Sequence, residues 1–141
     1  MYFDTSYIAK FYLDEPESSL IRALVKNTSP IRSSLWALAE FYAVLHRQVR
    51  EAGYSPADVR QIASQFSEHI AAGLWDLLPV REPLLRRTGA LVVSAPSNLF
   101  LRAGDAVHLT TALDAGELDL WTSDRRMLAA APYFGLNGRC F

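Results

Sequence analysis

The chain alternates short apolar runs with longer amphipathic ones. "MYF" is an apolar run of three residues closed by Asp4. "TSYIAKFYL" follows with helical spacing and halts near Asp14-Glu15-Pro16. "ESSLIRALVKN" reads as a second helix and "PIRSS" as a short strand. Residues 35–51 form a long helix that stops before Gly53. "SPADVRQIASQFSEHIAAG" opens with Ser55, Pro56 and Asp58, residue types that cap and start a helix. "LWDLLPV" predicts a strand, and "EPLLRRTGALVVSA" a helix ended by Pro96. "GDAVHLTTALDAG" predicts a helix, "LDLWTS" a strand and "DRRMLAAA" a closing helix. Strands separated by helices imply a parallel sheet covered on both faces. In such sheets ligands bind in the crevice at the carboxyl ends of the strands.

Composition narrows the class. A length of 141 residues suits one domain over 1–141, with a core of useful size. Half the residues are hydrophobic and the formal net charge is -1, so the chain is not of the disordered type. No basic tail announces nucleic-acid binding. Twelve Arg against two Lys is an asymmetry that suits phosphate contacts, although a general Arg preference explains it as well. The single Cys140 excludes an internal disulfide and fits a reducing compartment. Asp4 interrupts the start before any apolar signal segment, and no apolar run reaches membrane-spanning length. The expectation is a soluble, cytoplasmic protein with no membrane association.

The long helix contains an anomaly. In "LWALAEFYAVL" Glu40 is the one non-apolar residue of eleven. An unpaired carboxylate in such surroundings costs several kcal/mol. Its neighbours three and four residues away are Trp36, Ala37, Ala43 and Val44, and none of them is expected to pair with a charge. Most of the fifteen acidic residues lie in polar stretches or turns. Asp4, Asp105 and Asp124 do not. Each precedes or begins an apolar helix, where capping is the simplest role. Asp4 and Asp124 also follow predicted strands on the ligand side of the sheet, and "PIRSS" leads directly into the helix of Glu40. Four carboxylates can therefore meet at one crevice. Two charges 4 Å apart repel by roughly 4 kcal/mol at an effective dielectric of about 20. An all-oxygen set without a Cys or His cluster selects a hard cation, Mg²⁺ or Mn²⁺. Such a crevice suits phosphoryl chemistry. Without metal, neutralising Glu40 is expected to raise stability by relieving repulsion.

These residues resemble those of the PIN-domain ribonucleases, in particular the VapC-type toxins of toxin–antitoxin pairs. The similarity runs along nearly the whole chain: "YFDTSYIAKFYLDEP", "SSLWALAEFYAVL", "LRAGDAVHLTTAL" and "LWTSDRRML" look like the four family motifs in order. The resemblance implies a three-layer α/β/α fold with a central parallel sheet of 4–5 strands. It also implies a metal-dependent endoribonuclease, acting as the toxin of a type II pair. Asp4, Glu40, Asp105 and Asp124 match the acidic quartet. Asp4 and Asp105 would be the more direct Mg²⁺ ligands. Glu40 and Asp124 would complete the shell and orient water. Ser6 and Thr122 match hydroxyl positions beside the site, where local capping is an equal reading. The partners implied are an RNA substrate, a cognate antitoxin and a second copy in a homodimer. Departures are a first strand of only three residues before Asp4, Thr110 where Ala is usual, and a loosely matching "GLNGRCF".

Other residues carry less. His108, one turn after Asp105, reads as a buried structural histidine, because metal-bound water needs no imidazole to reach a usable pKa. Lys10, Arg102, Arg125 and Arg126 flank the motifs and are candidates for RNA phosphates, with solvated surface an equal reading. The wide apolar stripe of Tyr7, Ile8, Phe11 and Tyr12, and the greasy Glu40 helix, suggest a partner surface. A catalytically silent PIN fold used as a binding module is the alternative; its mark would be a missing acidic residue, and all four are present. An aspartyl-phosphate hydrolase would want a second Asp where Ser6 stands, and a receiver domain an acidic pair that does not occur.

Overall fold

The structure, a computed structural model, describes residues 1–28 and 30–141. Its elements are β1 (Tyr2–Phe3), α1 (Thr5–Tyr12), α2 (Ser18–Lys26), β2 (Ile31–Ser34), α3 (Trp36–Glu51) and α4 (Pro56–Ala71), then β3 (Trp75–Leu78), α5 (Glu82–Val93), α6 (Ala103–Asp114), β4 (Asp119–Trp121), α7 (Arg125–Ala130) and β5 (Asn137–Arg139). A 3₁₀ turn, Ala131–Phe134, joins α7 to β5. The five strands form one sheet in the order β3-β2-β1-β4-β5, and every pairing is parallel. Helices cover both faces, so the architecture is the three-layer α/β/α sandwich that the resemblance implies.

Strand alternation divides the core. Phe3 points to the face packed by α1, α2, α3 and α4, with Ile8, Phe41, Phe66 and Trp75. Tyr2 points to the other face, with Leu109, Leu120 and Met127. The chain steps from β1 outward to β2 and β3, then returns to place β4 on the opposite side of β1. The strand order therefore reverses between β1 and β4, where doubly covered sheets leave a crevice beyond the carboxyl ends.

Local chemistry sets the ends. Ser55 Oγ accepts from the Asp58 amide at 3.1 Å and Asp58 accepts from the Ser55 amide at 2.8 Å, a reciprocal cap with Pro56 in the first turn of α4. Two elements are absent from the sequence reading, β5 and the turn before it. "NGR" lacks β-branched or aromatic residues, so only its backbone pairing to β4 makes it a strand. A second departure concerns α1. Tyr7 and Ile8 are buried in the protein's own core, and Phe11 and Tyr12 pack against it. Half of the α1 stripe is thus spent on the protein's own core and Phe11 and Tyr12 stay partly exposed, whereas Leu35, Trp36 and Tyr42 around α3 are each about two-fifths exposed (43, 41 and 41%). Among the described residues no helix is long and apolar enough to cross a membrane.

Candidate active site

Asp4 stands at the carboxyl end of the central strand and is 4% exposed. Its amide donates to the Trp121 carbonyl at 3.1 Å, which extends the β1–β4 pairing by one residue. It is also the N-cap of α1: Oδ1 accepts from the Tyr7 amide at 3.1 Å and the Ser6 hydroxyl at 2.6 Å. Oδ2 accepts from the Thr122 hydroxyl at 2.6 Å. Burial raises the Asp4 carboxyl above its usual pKa, against the lowering effects of His108 and these hydrogen bonds. The capping reading and the site reading thus describe the same carboxylate.

Thr122 links two acids. Its hydroxyl donates to Asp4 and accepts from the Asp124 amide at 2.9 Å. Ser6 makes a parallel link, accepting from the Ser123 amide at 2.9 Å. Asp124 in turn caps α7, with Oδ1 accepting from the Arg126 amide at 2.7 Å and the Met127 amide at 3.3 Å. Asp105 lies in the first turn of α6, which packs on β2 and α3. Its Oδ2 accepts from the Arg102 amide at 3.3 Å. Burial raises the Asp105 pKa, and the charges of Asp124 and Glu40 add to the rise, against the Arg102 contacts. Asp124 and Glu40 are thus each near enough for their charge to act on Asp105.

Against expectation, one helix neighbour of Glu40 does pair with its charge, because the Trp36 indole carries an N–H donor, and two further partners come from elsewhere in the fold. Oε1 accepts from the Trp36 indole at 3.0 Å. Oε2 accepts from the Thr5 hydroxyl and lies 3.0 Å from His108 Nε2. His108 is 1% exposed; its Nε2 is also 3.1 Å from the Thr5 hydroxyl, and its Nδ1 shares a 2.9 Å bond with the Tyr2 hydroxyl. Burial alone would push the Glu40 carboxyl up, but the His108 bond and charge, with Thr5 and Trp36, bring its pKa below the usual value. The ionisable partner that Glu40 draws from outside its own helix is therefore a histidine, and neutralising Glu40 would give up these bonds as well as any repulsion. His108 is buried, as its sequence setting suggests, and it touches the site through Glu40. Gly104 completes the mount: a Cβ there would stand 2.5 Å from Glu40 Oε1 and 3.1 Å from Trp36 Nε1.

Glu40 and Asp124 border a cavity of about 450 Å³ walled also by Thr5, Ser6, Lys10, Arg47 and Ser123, among others; Asp4 and Asp105 are not among its lining residues. Lys10 reaches the wall while paired to Glu17 at 2.6 Å. Arg47, two turns beyond Glu40 on α3, was not singled out from the sequence; its position seven residues on is the signal that it shares the face. Thr5, Trp36 and Gly104 were missed as well, and all three act on Glu40. Of the other basic candidates, Arg125 lines a neighbouring cavity, Arg126 lies over the Phe100 ring at 4.0 Å, and Arg102 is exposed at the start of α6. A second opening of about 460 Å³, at the α3–α4 turn, carries Asp58 and side-chain amides but no clustered acids.

The donor chemistry suits a hard divalent cation. Among the described residues Asp4, Asp105 and Asp124 make no ion pair with Lys or Arg. No three acidic or imidazole groups already converge as a ligand set among those residues, so an ion here would draw in side chains or be held partly through water.

Comparison with known proteins agrees with this architecture. The PIN domain family model matches residues 1–132. Ribonuclease VapC46 of Mycobacterium tuberculosis (strain ATCC 25618 / H37Rv) is 33% identical over 140 residues, which covers 96% of this chain and 93% of the relative. The crystal structure of Mycobacterium tuberculosis VapC20, described as a sarcin-ricin loop cleaving toxin, superposes with a TM-score of 0.72 at 17% identity, over 92% of this chain and 93% of that one. The chain belongs to the PIN-domain family, among its VapC-type ribonucleases.

Proposed function

We propose that this chain is a divalent-metal-dependent endoribonuclease, a single PIN domain over 1–141 that serves as the toxin of a type II toxin–antitoxin pair. One observation carries the reading: the buried Asp4 carboxylate stands at the end of the central strand where the strand order reverses, is tied through Thr122 to the Asp124 backbone, and makes no ion pair with Lys or Arg among the described residues. Asp4 and Asp105 are assigned as the direct ligands of Mg²⁺ or Mn²⁺. Glu40 and Asp124 complete the shell, directly or through water. The ion would lower the pKa of a bound water and offset charge on the phosphate.

The chain's own residues supply position. Ser6 and Thr122 hold the Asp4 carboxylate by its two oxygens. Thr122 fixes the Asp124 backbone to the same carboxylate. Thr5, Trp36 and His108 hold Glu40 at the cavity wall. Lys10 and Arg47 provide cations at the rim for RNA phosphates, and Arg102, Arg125 and Arg126 extend that set. The toxin role rests on the similarity to VapC proteins, one of them described as a toxin. Leu35, Trp36 and Tyr42 are the apolar surface offered to a second copy and to a cognate antitoxin.

The test is RNA cleavage by the purified chain in Mg²⁺, beside Asp4→Asn and a chelated control. Wild-type cleavage that needs the metal, and its loss in a folded Asp4→Asn protein, is the expected result. Undiminished cleavage by Asp4→Asn would sink the assignment.

A further inference from the structure

A second cavity opens beside the acidic one. It has a volume of about 310 Å³ and is lined by Tyr7, Lys10, Glu17, Arg125, Cys140 and Phe141, among others. Lys10 and Ser123 line both cavities. Asp124 faces the acidic cavity, while its neighbour Arg125 faces the side pocket. The wall between the two is therefore the Ser123–Arg125 turn. The pocket is large enough for a small ligand group and mixes two cations with an aromatic floor. Phe141 lies over Tyr7, with centroids 6.3 Å apart and planes 21° from parallel. The Phe141 amide donates to the Tyr7 hydroxyl at 2.9 Å, which ties that ring down. Arg125 makes no ion pair among the described residues, and Lys10 has Glu17 alone.

We infer that this side pocket is a subsite for one internucleotide phosphate of the RNA chain next to the bond being cut, with its nucleoside against Phe141. Lys10 and Arg125 hold the phosphate, and Glu17 competes with it for Lys10. The inference rests on the ribonuclease reading. It adds a place where the strand is gripped beyond the reacting phosphate, as backbone contacts position nucleic acids elsewhere. Glu17 then acts against binding, because its carboxylate must release Lys10 before the phosphate can pair.

Cys140, the only cysteine of the chain and exposed in this pocket, reports its occupancy. The rate of Cys140 alkylation by a maleimide is measured in Mg²⁺ on Asp4→Asn protein, with saturating single-stranded RNA, with inorganic phosphate at equal ionic strength, and with neither. RNA is expected to slow alkylation at least fivefold and inorganic phosphate to leave it unchanged. Lys10→Gln/Arg125→Gln should lower the slope of log affinity against log salt by about 0.7, the value for one phosphate contact on a single strand. Glu17→Gln should tighten binding several-fold. Wild-type chain that cleaves RNA while Cys140 reacts equally fast with and without it, or equal protection by inorganic phosphate, overturns the subsite and leaves the ribonuclease reading standing. A wild-type chain that cleaves no RNA removes both.

Discussion

Glu40 is held by an indole, a hydroxyl and an imidazole, and each contact favours its charged form. Replacing the carboxylate with an amide presents a donor toward His108 or Thr5 and removes the charge-assisted bonds. Glu40→Gln is therefore expected to lower metal-free stability by roughly 1–3 kcal/mol, the cost of disrupting bonds to a charged group. The sign with pH follows from its lowered pKa. The contribution is present above the unfolded carboxyl value near 4.3 and is lost as pH falls through the lower folded value, so the difference between wild type and variant should shrink as pH falls below about 4.3. Thermal melts from pH 3.5 to 7 decide it. Asp105 goes the other way. Its pKa is raised by burial and by Asp124 and Glu40, so its ionisation opposes folding once pH passes the unfolded value. Asp105→Asn keeps an oxygen for the Arg102 amide and should raise the metal-free Tm at pH 7 by roughly 2–4 °C, with the gain vanishing near pH 3.5. Solvent screening at this half-exposed group keeps the effect small. Gly104→Ala should displace Glu40 and Trp36, because a Cβ 2.5 Å from the carboxylate oxygen leaves no room. A tenfold or greater loss of Mn²⁺ affinity, read by calorimetry, is expected with the circular dichroism of the folded chain retained.

At the scale of elements, the acids depend on how strands end. Three of the four lie just past or inside the segment that follows a strand or begins a helix, and their capping chemistry is visible in the sequence. That is why Asp4, Asp105 and Asp124 were legible as a group. Glu40 was legible for the opposite reason, as a charge with no local excuse. Its partners were not, because Thr5 and His108 lie 35 and 68 residues away and only the β1–β2 pairing with α6 behind it brings them together. The last strand was illegible because it is defined by pairing. The Thr122 amide donates to the Arg139 carbonyl at 3.0 Å, so β5 steadies the turn that carries Thr122 and Asp124. Gly138 lets β5 approach α7: a Cβ there would stand 3.2 Å from the backbone of Leu128. Gly138→Ala should push α7, and Asp124 at its start, outward by a few tenths of an ångström. The expected signature is a severalfold loss of cleavage rate with less than about 2 kcal/mol of destabilisation. Equal cleavage by the two proteins would mean that β5 does not govern the site.

For the whole molecule, the formal charge of -1 conceals an uneven distribution. Asp4, Asp105 and Asp124 are at least partly withdrawn from water and pair with no Lys or Arg among the described residues, while Glu40 has His108 beside it. The fold therefore holds charge repulsion at one place, which a bound cation relieves and the unfolded chain does not share. Any ligand that binds only the folded state stabilises it by an amount set by its concentration relative to Kd, about 2.7 kcal/mol at a hundredfold excess over Kd. Mg²⁺ or Mn²⁺ should accordingly raise the Tm in a saturable way, while Na⁺ at equal ionic strength should not. Asp4→Asn removes the buried carboxylate proposed as a ligand and should flatten that dependence, with its metal-free Tm unchanged or higher because burial disfavours the ionised Asp4. Scanning calorimetry against metal concentration reads both proteins. A Tm that rises equally with metal in wild type and Asp4→Asn would place the cation elsewhere on the molecule, and with it the chemistry assigned to the crevice.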